Sequence, residues 1–171
     1  MTTLPLMPRK GGFMRPFGCG EFVRDFLLGN GPYGSPVIDP TVGSPQSDIL
    51  YFYKTAILRE MAINRATRAE ERQAKREKRS ISPENIERLA EAELRRIPYK
   101  SNGCRGHSFN VYFSNLKRLG WVEPSGVEEP SAFQQHYPAG PPRRYYRLTA
   151  EGTAASEAEW RNPFQTLYGA R

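Results

Sequence analysis

Soft ligands are scarce in this chain of 171 residues: it has two cysteines, Cys19 and Cys104, and two histidines, His107 and His136. Two cysteines are too few for a disulfide framework and fit a reducing compartment. A four-ligand zinc site would need all four side chains to converge, and Cys104-Arg-Gly-His107 alone supplies only two. No metal or other cofactor is therefore expected. There is no G-x-x-x-x-G-K phosphate loop and no G-x-S-x-G nucleophile signature. The two histidines are far apart in sequence, and the carboxylates sit mostly on charged helix faces, so no enzyme activity is expected.

Apolar residues are also sparse, at 38%, which limits the chain to one small core. No run reaches the length of a transmembrane helix. The opening MTTLPLMPRKGGFMRPFG is broken by prolines and glycines and has no signal-peptide core. The expected location is cytoplasmic, nucleoid-associated if the chain binds DNA.

What the chain has in excess is positive charge. Lys and Arg number 25 against 18 Asp and Glu, a net charge of +7, which favours a polyanionic partner. Residues 1–43, rich in Gly and Pro, read as an extended, partly disordered arm. Its tip is basic through Arg9, Lys10 and Arg15, and a brief helix is expected from Glu21 to Leu28. Ser44-Pro45 reads as a helix start, with Ser as cap and Pro in the first turn. A long basic helix then spans 44–81, with an apolar stripe through Ile49, Tyr53, Ala56 and Ile57. From Arg65 to Arg79 seven of fifteen residues are basic and three acidic, so this end has no apolar face to bury and suits solvent or phosphate.

Ser82-Pro83 repeats the start signal, and Ile86, Leu89, Ala90, Leu94 and Ile97 recur at helical spacing until Pro98 ends the helix. After a polar turn, a helix over 107–119 presents Phe109, Tyr112, Phe113, Leu116 and Leu119 on one face. Asn110, Ser114, Lys117 and Arg118 lie on the other, with Val111 beside them. Gly120 closes it as a left-handed cap, and Trp121-Val122 begin a strand. A loop from Pro124 to Pro142, with acidic residues Glu128 and Glu129, precedes a second strand over 143–148 in which Tyr146 and Leu148 face one way and Tyr145 and Arg147 the other. Thr149 suits an N-cap, and Asn162-Pro163 breaks the final helix.

Helix, strand, loop and basic strand in this order make a winged helix-turn-helix. The expected class is mainly α with a small β-hairpin wing (α+β), carrying an N-terminal arm and a long first helix. The winged-helix domain is expected over 82–160 and a tail over 161–171, with the helix from Ser82 packed against the recognition helix at 107–119. No Asp or Glu occurs between Glu93 and Glu123, as a surface facing phosphates and groove acceptors requires. Asn110 suits adenine and Ser114 either polarity; Lys117 and Arg118 suit phosphate or guanine. Arg143 and Arg144 stand where a wing root meets the backbone. The expected DNA-binding set is Lys100, Arg105, His107, Ser108, Asn110, Ser114, Lys117, Arg118, Arg143, Arg144 and Arg147.

Leu116, Leu119, Gly120 and Trp121, followed by Arg144, Tyr146, Leu148, Thr149 and Gly152, resemble the helix end and wing of winged-helix transcriptional regulators of the PadR-like and MarR-like groups. That resemblance covers roughly residues 82–160 and implies a DNA-binding regulator. The chain departs from it in the length of the loop between the strands and in the short segment after Gly152, which leaves a homodimer to use the helix 44–79. Double-stranded DNA is the expected partner. The alternative is a protein-interaction or structural module in a larger phage or ribonucleoprotein assembly, favoured by the Pro/Gly-rich arm and by Phe133, His136 and Tyr137 of the loop.

Overall fold

A computed structural model describes residues 17–129 and 142–168. The basic tip at Arg9, Lys10 and Arg15, and the loop residues Phe133, His136 and Tyr137, lie outside the described residues. The chain is mainly helical with a small three-stranded antiparallel sheet, as an α+β reading requires. It divides into two compact units: Lys54–Cys104 with the N-terminal residues through Phe17, and Gly18–Tyr53 with Arg105–Arg171.

The second unit begins with helix α1, Cys19–Leu27. Phe22, Val23, Phe26 and Leu27 recur at the spacing of one helix face, and all four are fully buried. Phe22 stacks on Phe26 with ring centroids 5.7 Å apart and meets Tyr53 at 5.3 Å. Residues 18–43, expected as part of an arm, thus supply core to this unit. Four large apolar side chains with a partner surface available gain more from burial, about 1.5–3 kcal/mol each, than from hydration.

Ser44-Pro45 forms a two-residue strand, β1, and the long helix α2, Gln46–Glu77, starts just after it. The expected Ser44 cap is therefore corrected: Ser44 is buried and pairs with Tyr146, and Pro45 pairs with Tyr145. Pro at this place is tolerated because β1 is an edge strand. Gly43 makes the approach possible. Its φ is +75°, and a Cβ there would overlap the Tyr146 carbonyl.

Helix α4, Gly106–Arg118, buries Phe109, Phe113, Asn115 and Leu116. It ends at Gly120, whose φ of +75° is the left-handed cap the sequence predicts. Strands β2, Val122–Glu129, and β3, Arg143–Leu148, follow, in the sheet order β1-β3-β2. Tyr146 points inward and meets the Phe113 ring edge-on at 5.3 Å. The expected loop from Pro124 is corrected, since β2 continues to Glu129. A register shift between Pro124 and Glu128 absorbs the proline and Gly126. Thr149 caps α5, Ala150–Ala154, by accepting from the Gly152 N–H at 3.0 Å. Helices α6, Glu157–Arg161, and α7, Pro163–Tyr168, break at Asn162-Pro163 as expected. Trp160 is fully buried, lies 4.7 Å from the Trp121 ring centroid, and donates its indole N–H to the Gly152 carbonyl at 2.9 Å.

In the first unit, α2 from Lys54 onward turns at Lys78 into helix α3, Pro83–Arg96, which Ser82 caps by accepting from the Asn85 N–H. The apolar cluster is small: Leu58, Ala62 and Ile97, flanked by Met61 and Leu94. The turn is held by a polar group. Glu70 is 1% exposed, and its carboxylate accepts from the Arg79 guanidinium and from the Ser82 N–H at 3.2 Å. The Arg79 hydrogen bond holds the Glu70 carboxyl below the usual carboxylate range. A buried carboxylate satisfied by one guanidinium and one backbone donor fixes where the two helices turn.

Candidate nucleic-acid interface

Helix α4 carries the candidate site. Its N-terminal turn stands on Arg105, exposed, and Gly106, beside the Leu50 side chain of α2. Within the second unit, α4 packs against α7, where Tyr112 meets the Phe164 ring edge-on at 5.2 Å, and its polar face bonds to the start of α2. Gln46, the first residue of α2, donates from Nε2 to Asn110 Oδ1 at 3.0 Å, and Lys117 Nζ donates to Gln46 Oε1 at 3.4 Å. The partner expected from the sequence, the helix from Ser82, belongs to the first unit instead. There Leu94 of α3 packs on the Leu58, Ala62 and Ile97 cluster.

Arg105, His107, Ser108, Asn110, Val111, Ser114 and Arg118 are exposed, whereas Lys117 is only partly so. The assignment of Lys117 to the solvent face is therefore corrected: its ammonium lies 4.4 Å from the Tyr146 ring centroid and 5.4 Å from that of Phe113. The aliphatic stem packs while the charge sits on an aromatic face. Lys100 is exposed but lies in a short 3-10 turn, Tyr99–Asn102, of the first unit. No carboxylate occurs on α4. The exposed face offers amide, hydroxyl, imidazole and guanidinium groups, together with the Val111 side chain, 49% exposed.

The hairpin differs from the expectation. Each basic residue of β3 faces an acidic residue of β2: Glu123 opposite Arg147, Glu128 opposite Arg144, Glu129 opposite Arg143. Arg147 Nε donates to Glu123 at 3.1 Å, and Arg144 Nε lies 3.6 Å from Glu128. Arg143 is bound twice, to Glu129 and to Asp48 at 3.0 Å, and the Tyr145 hydroxyl donates to Glu129 at 2.9 Å. The Arg143 hydrogen bond holds the Glu129 carboxyl below its ordinary range. The acidic residues expected in a loop, Glu128 and Glu129, are thus part of a cross-strand charge ladder, which stabilises hairpin register and neutralises the hairpin.

Two residues of the site lay outside sequence reasoning. Gln46 and Asp48 are 64 and 95 positions from their partners Asn110 and Arg143, and nothing local marks such pairs. Val111 did have a signal, an apolar residue on the polar side of an amphipathic helix.

Charge is divided unequally. Residues 54–104 carry thirteen Lys and Arg against eight Glu, whereas 18–53 and 105–171 together carry nine basic against ten acidic residues. Among the described residues, no three of His, Cys, Asp and Glu are grouped to hold a metal ion, and no helix is long and apolar enough to cross a membrane. The chain matches no protein-family model, no curated protein and no solved structure.

Proposed function

We propose that the second unit is a winged helix-turn-helix and that the protein binds double-stranded DNA through it, with α4 entering the major groove. One observation carries the reading. In a unit whose acidic residues outnumber its basic ones, the exposed face of α4 bears no carboxylate and two guanidinium groups, from Arg105 and Arg118. The element order supports it: helix, short strand, helix, then α4 and a hairpin, with the last strand central in the sheet. A helix docks in the major groove through the side chains that reach base edges. Here these are Asn110, held by Gln46 so that its amide N–H₂ remains free to donate, together with Ser114 and Val111. Arg105 and Arg118, at the two ends of the helix, suit phosphates. The resemblance of the α4 end and wing to PadR-like and MarR-like regulators agrees with a role in transcriptional control.

Anisotropy titration of labelled duplexes across a salt series tests this. Arg118→Ala weakens binding on every sequence and flattens the slope of log K against log salt by about 0.9. Asn110→Ala instead narrows the gap between a selected and a random duplex, by about 1–3 kcal/mol. Wild-type affinity that neither substitution changes removes α4 from the interface.

The charge ladder of the hairpin favours a second reading, a winged-helix module that docks on another protein, because a neutralised wing does not seek phosphate. Under it the chain shows no salt-dependent duplex affinity.

A further inference from the structure

The positive charge of this protein is concentrated in residues 54–104, and its arrangement is specific. In the part of α2 that belongs to the first unit, Arg65, Arg68, Arg72, Lys75 and Arg76 are all exposed. At about 100° per residue they fall within an arc of about 100° on one side of the helix. Glu71 borders that arc and no acidic residue lies within it. The side turned away is buried, through Ala62, Ala66 and Ala74 and the Glu70 carboxylate.

The other carboxylates of this stretch are occupied at the α2–α3 turn. Glu70 is buried against Arg79, and Glu77 binds Arg79 and Gln73. Arg65 lies 3.9 Å from Glu93 with its side chain still 53% exposed, and Arg76 donates only to Gln73. Arg68, Arg72 and Lys75 have no ion-pair partner among the described residues. A helix that needs charge only for hydration has no reason to segregate one sign. Interspersed Glu and Lys at i, i+4 would hydrate it equally and stabilise it further. Five like charges in one stripe repel one another, and an opposing row of fixed negative charge relieves that repulsion.

We infer that this stripe is a second nucleic-acid surface, one that follows the phosphate backbone of a duplex without reading sequence. It covers about 16 Å of helix axis, at 1.5 Å per residue. Each strand of duplex DNA carries one phosphate per about 3.4 Å of axis, about five over that length. Five cations on one side therefore meet a row of phosphates of matching extent, and an all-cationic stripe with no hydrogen-bonding amide or aromatic among its five members positions rather than specifies. This extends the reading of α4 to a separate surface, and either can stand without the other.

The test uses the full chain, a fluorescent random-sequence duplex and a duplex selected for tight binding. The triple variant Arg68→Gln, Arg72→Gln, Lys75→Gln removes three charges, and glutamine has nearly the same helix propensity, so circular dichroism should be unchanged. A control, Arg88→Gln, Arg95→Gln, Arg96→Gln, removes the same charge from α3. For the stripe variant, the expected result is a slope of log K against log salt shallower by about 2–3 and affinity for both duplexes lower by about tenfold or more. The ratio between the two duplexes stays as in the wild type, and the control changes the slope by less than half as much. An unchanged slope overturns the stripe and leaves α4 untouched; an equal effect of the control overturns it too, as net charge alone would then be acting. A stripe-dependent slope in a protein that prefers no sequence supports the stripe and overturns base reading by α4. Stripe-dependent binding to vesicles of anionic lipid, with none to duplex, overturns the nucleic-acid assignment of the stripe.

Discussion

Replacing Phe22 by Ala tests whether α1 is core or arm. The ring is fully buried between Phe26 and Tyr53, with centroids at 5.7 and 5.3 Å. Truncation removes the transfer free energy of the ring and leaves a cavity that Phe26, stacked in parallel, cannot fill without leaving its own contacts. Such changes cost about 3–5 kcal/mol, a large share of the about 5–15 kcal/mol that holds a domain folded. At about 2–4 °C per kcal/mol for a chain of this size, the midpoint falls by roughly 10 °C. The assay is urea unfolding followed by tryptophan fluorescence. Both tryptophans of the chain, Trp121 and Trp160, lie in the second unit with ring centroids 4.7 Å apart, so the signal reports the unit that α1 belongs to. Val37→Ala, at a residue 75% exposed, serves as the control and should shift stability by no more than about 0.5 kcal/mol. A Phe22→Ala cost as small as that of the control would refute the packing of α1 and restore an unstructured arm.

Gly43→Ala should destabilise the second unit more than a surface substitution, because the new Cβ meets the Tyr146 carbonyl at a left-handed φ; chemical denaturation measures it, and a neutral effect would show that β1 does not pair with β3. Trp160→Phe keeps the ring burial but leaves the Gly152 carbonyl without its indole donor, at about 1–3 kcal/mol in the same unfolding assay. The Glu70 carboxyl is held below its ordinary range by Arg79, so its contribution is fully present above the unfolded carboxyl pKa of about 4.3 and is lost as pH falls through the lower folded value. Protection of the α2–α3 turn amides, the exchange rate taken relative to the intrinsic rate at each pH, should therefore fall on acidification in that window, and Glu70→Gln should already have low protection at neutral pH and lose that dependence. Equal protection in the two proteins at neutral pH would count against the role of Glu70.

Much of the local structure was legible because it is written in short-range signals. Ser82 and Thr149 as caps, Gly120 as a left-handed stop, Pro98 and Asn162-Pro163 as breaks, and the buried stripe of Phe109, Phe113 and Leu116 all follow from spacing and side-chain chemistry. Ser44-Pro45 shows where such signals mislead. The dipeptide has the chemistry of a helix start, but Tyr146, about a hundred residues on, offers a backbone partner that turns it into a strand. The same holds for the β2–β3 hairpin, where Glu128 and Glu129 look like part of an acidic loop until β3 places arginines opposite them. The bonding of α4 to Gln46 at the start of α2 was hidden for a topological reason. Residues 54–104 intervene between the two and form a unit of their own, so the helix nearest in sequence to α4 is not the one that meets it in its unit. The apolar stripe of α2 is used within the chain, since Ile49, Tyr53, Ala56 and Ile57 are buried.

The most direct measurement is the binding of the whole protein to a labelled duplex across a salt series, with wild type and the Asn110→Ala, Arg118→Ala double variant side by side. The proposed interface predicts wild-type affinity that falls steeply with salt, and a double variant that binds more weakly, with a shallower slope and less preference among sequences. Wild-type protein that shows no salt-dependent duplex affinity, or a double variant indistinguishable from it, would contradict recognition of DNA by α4.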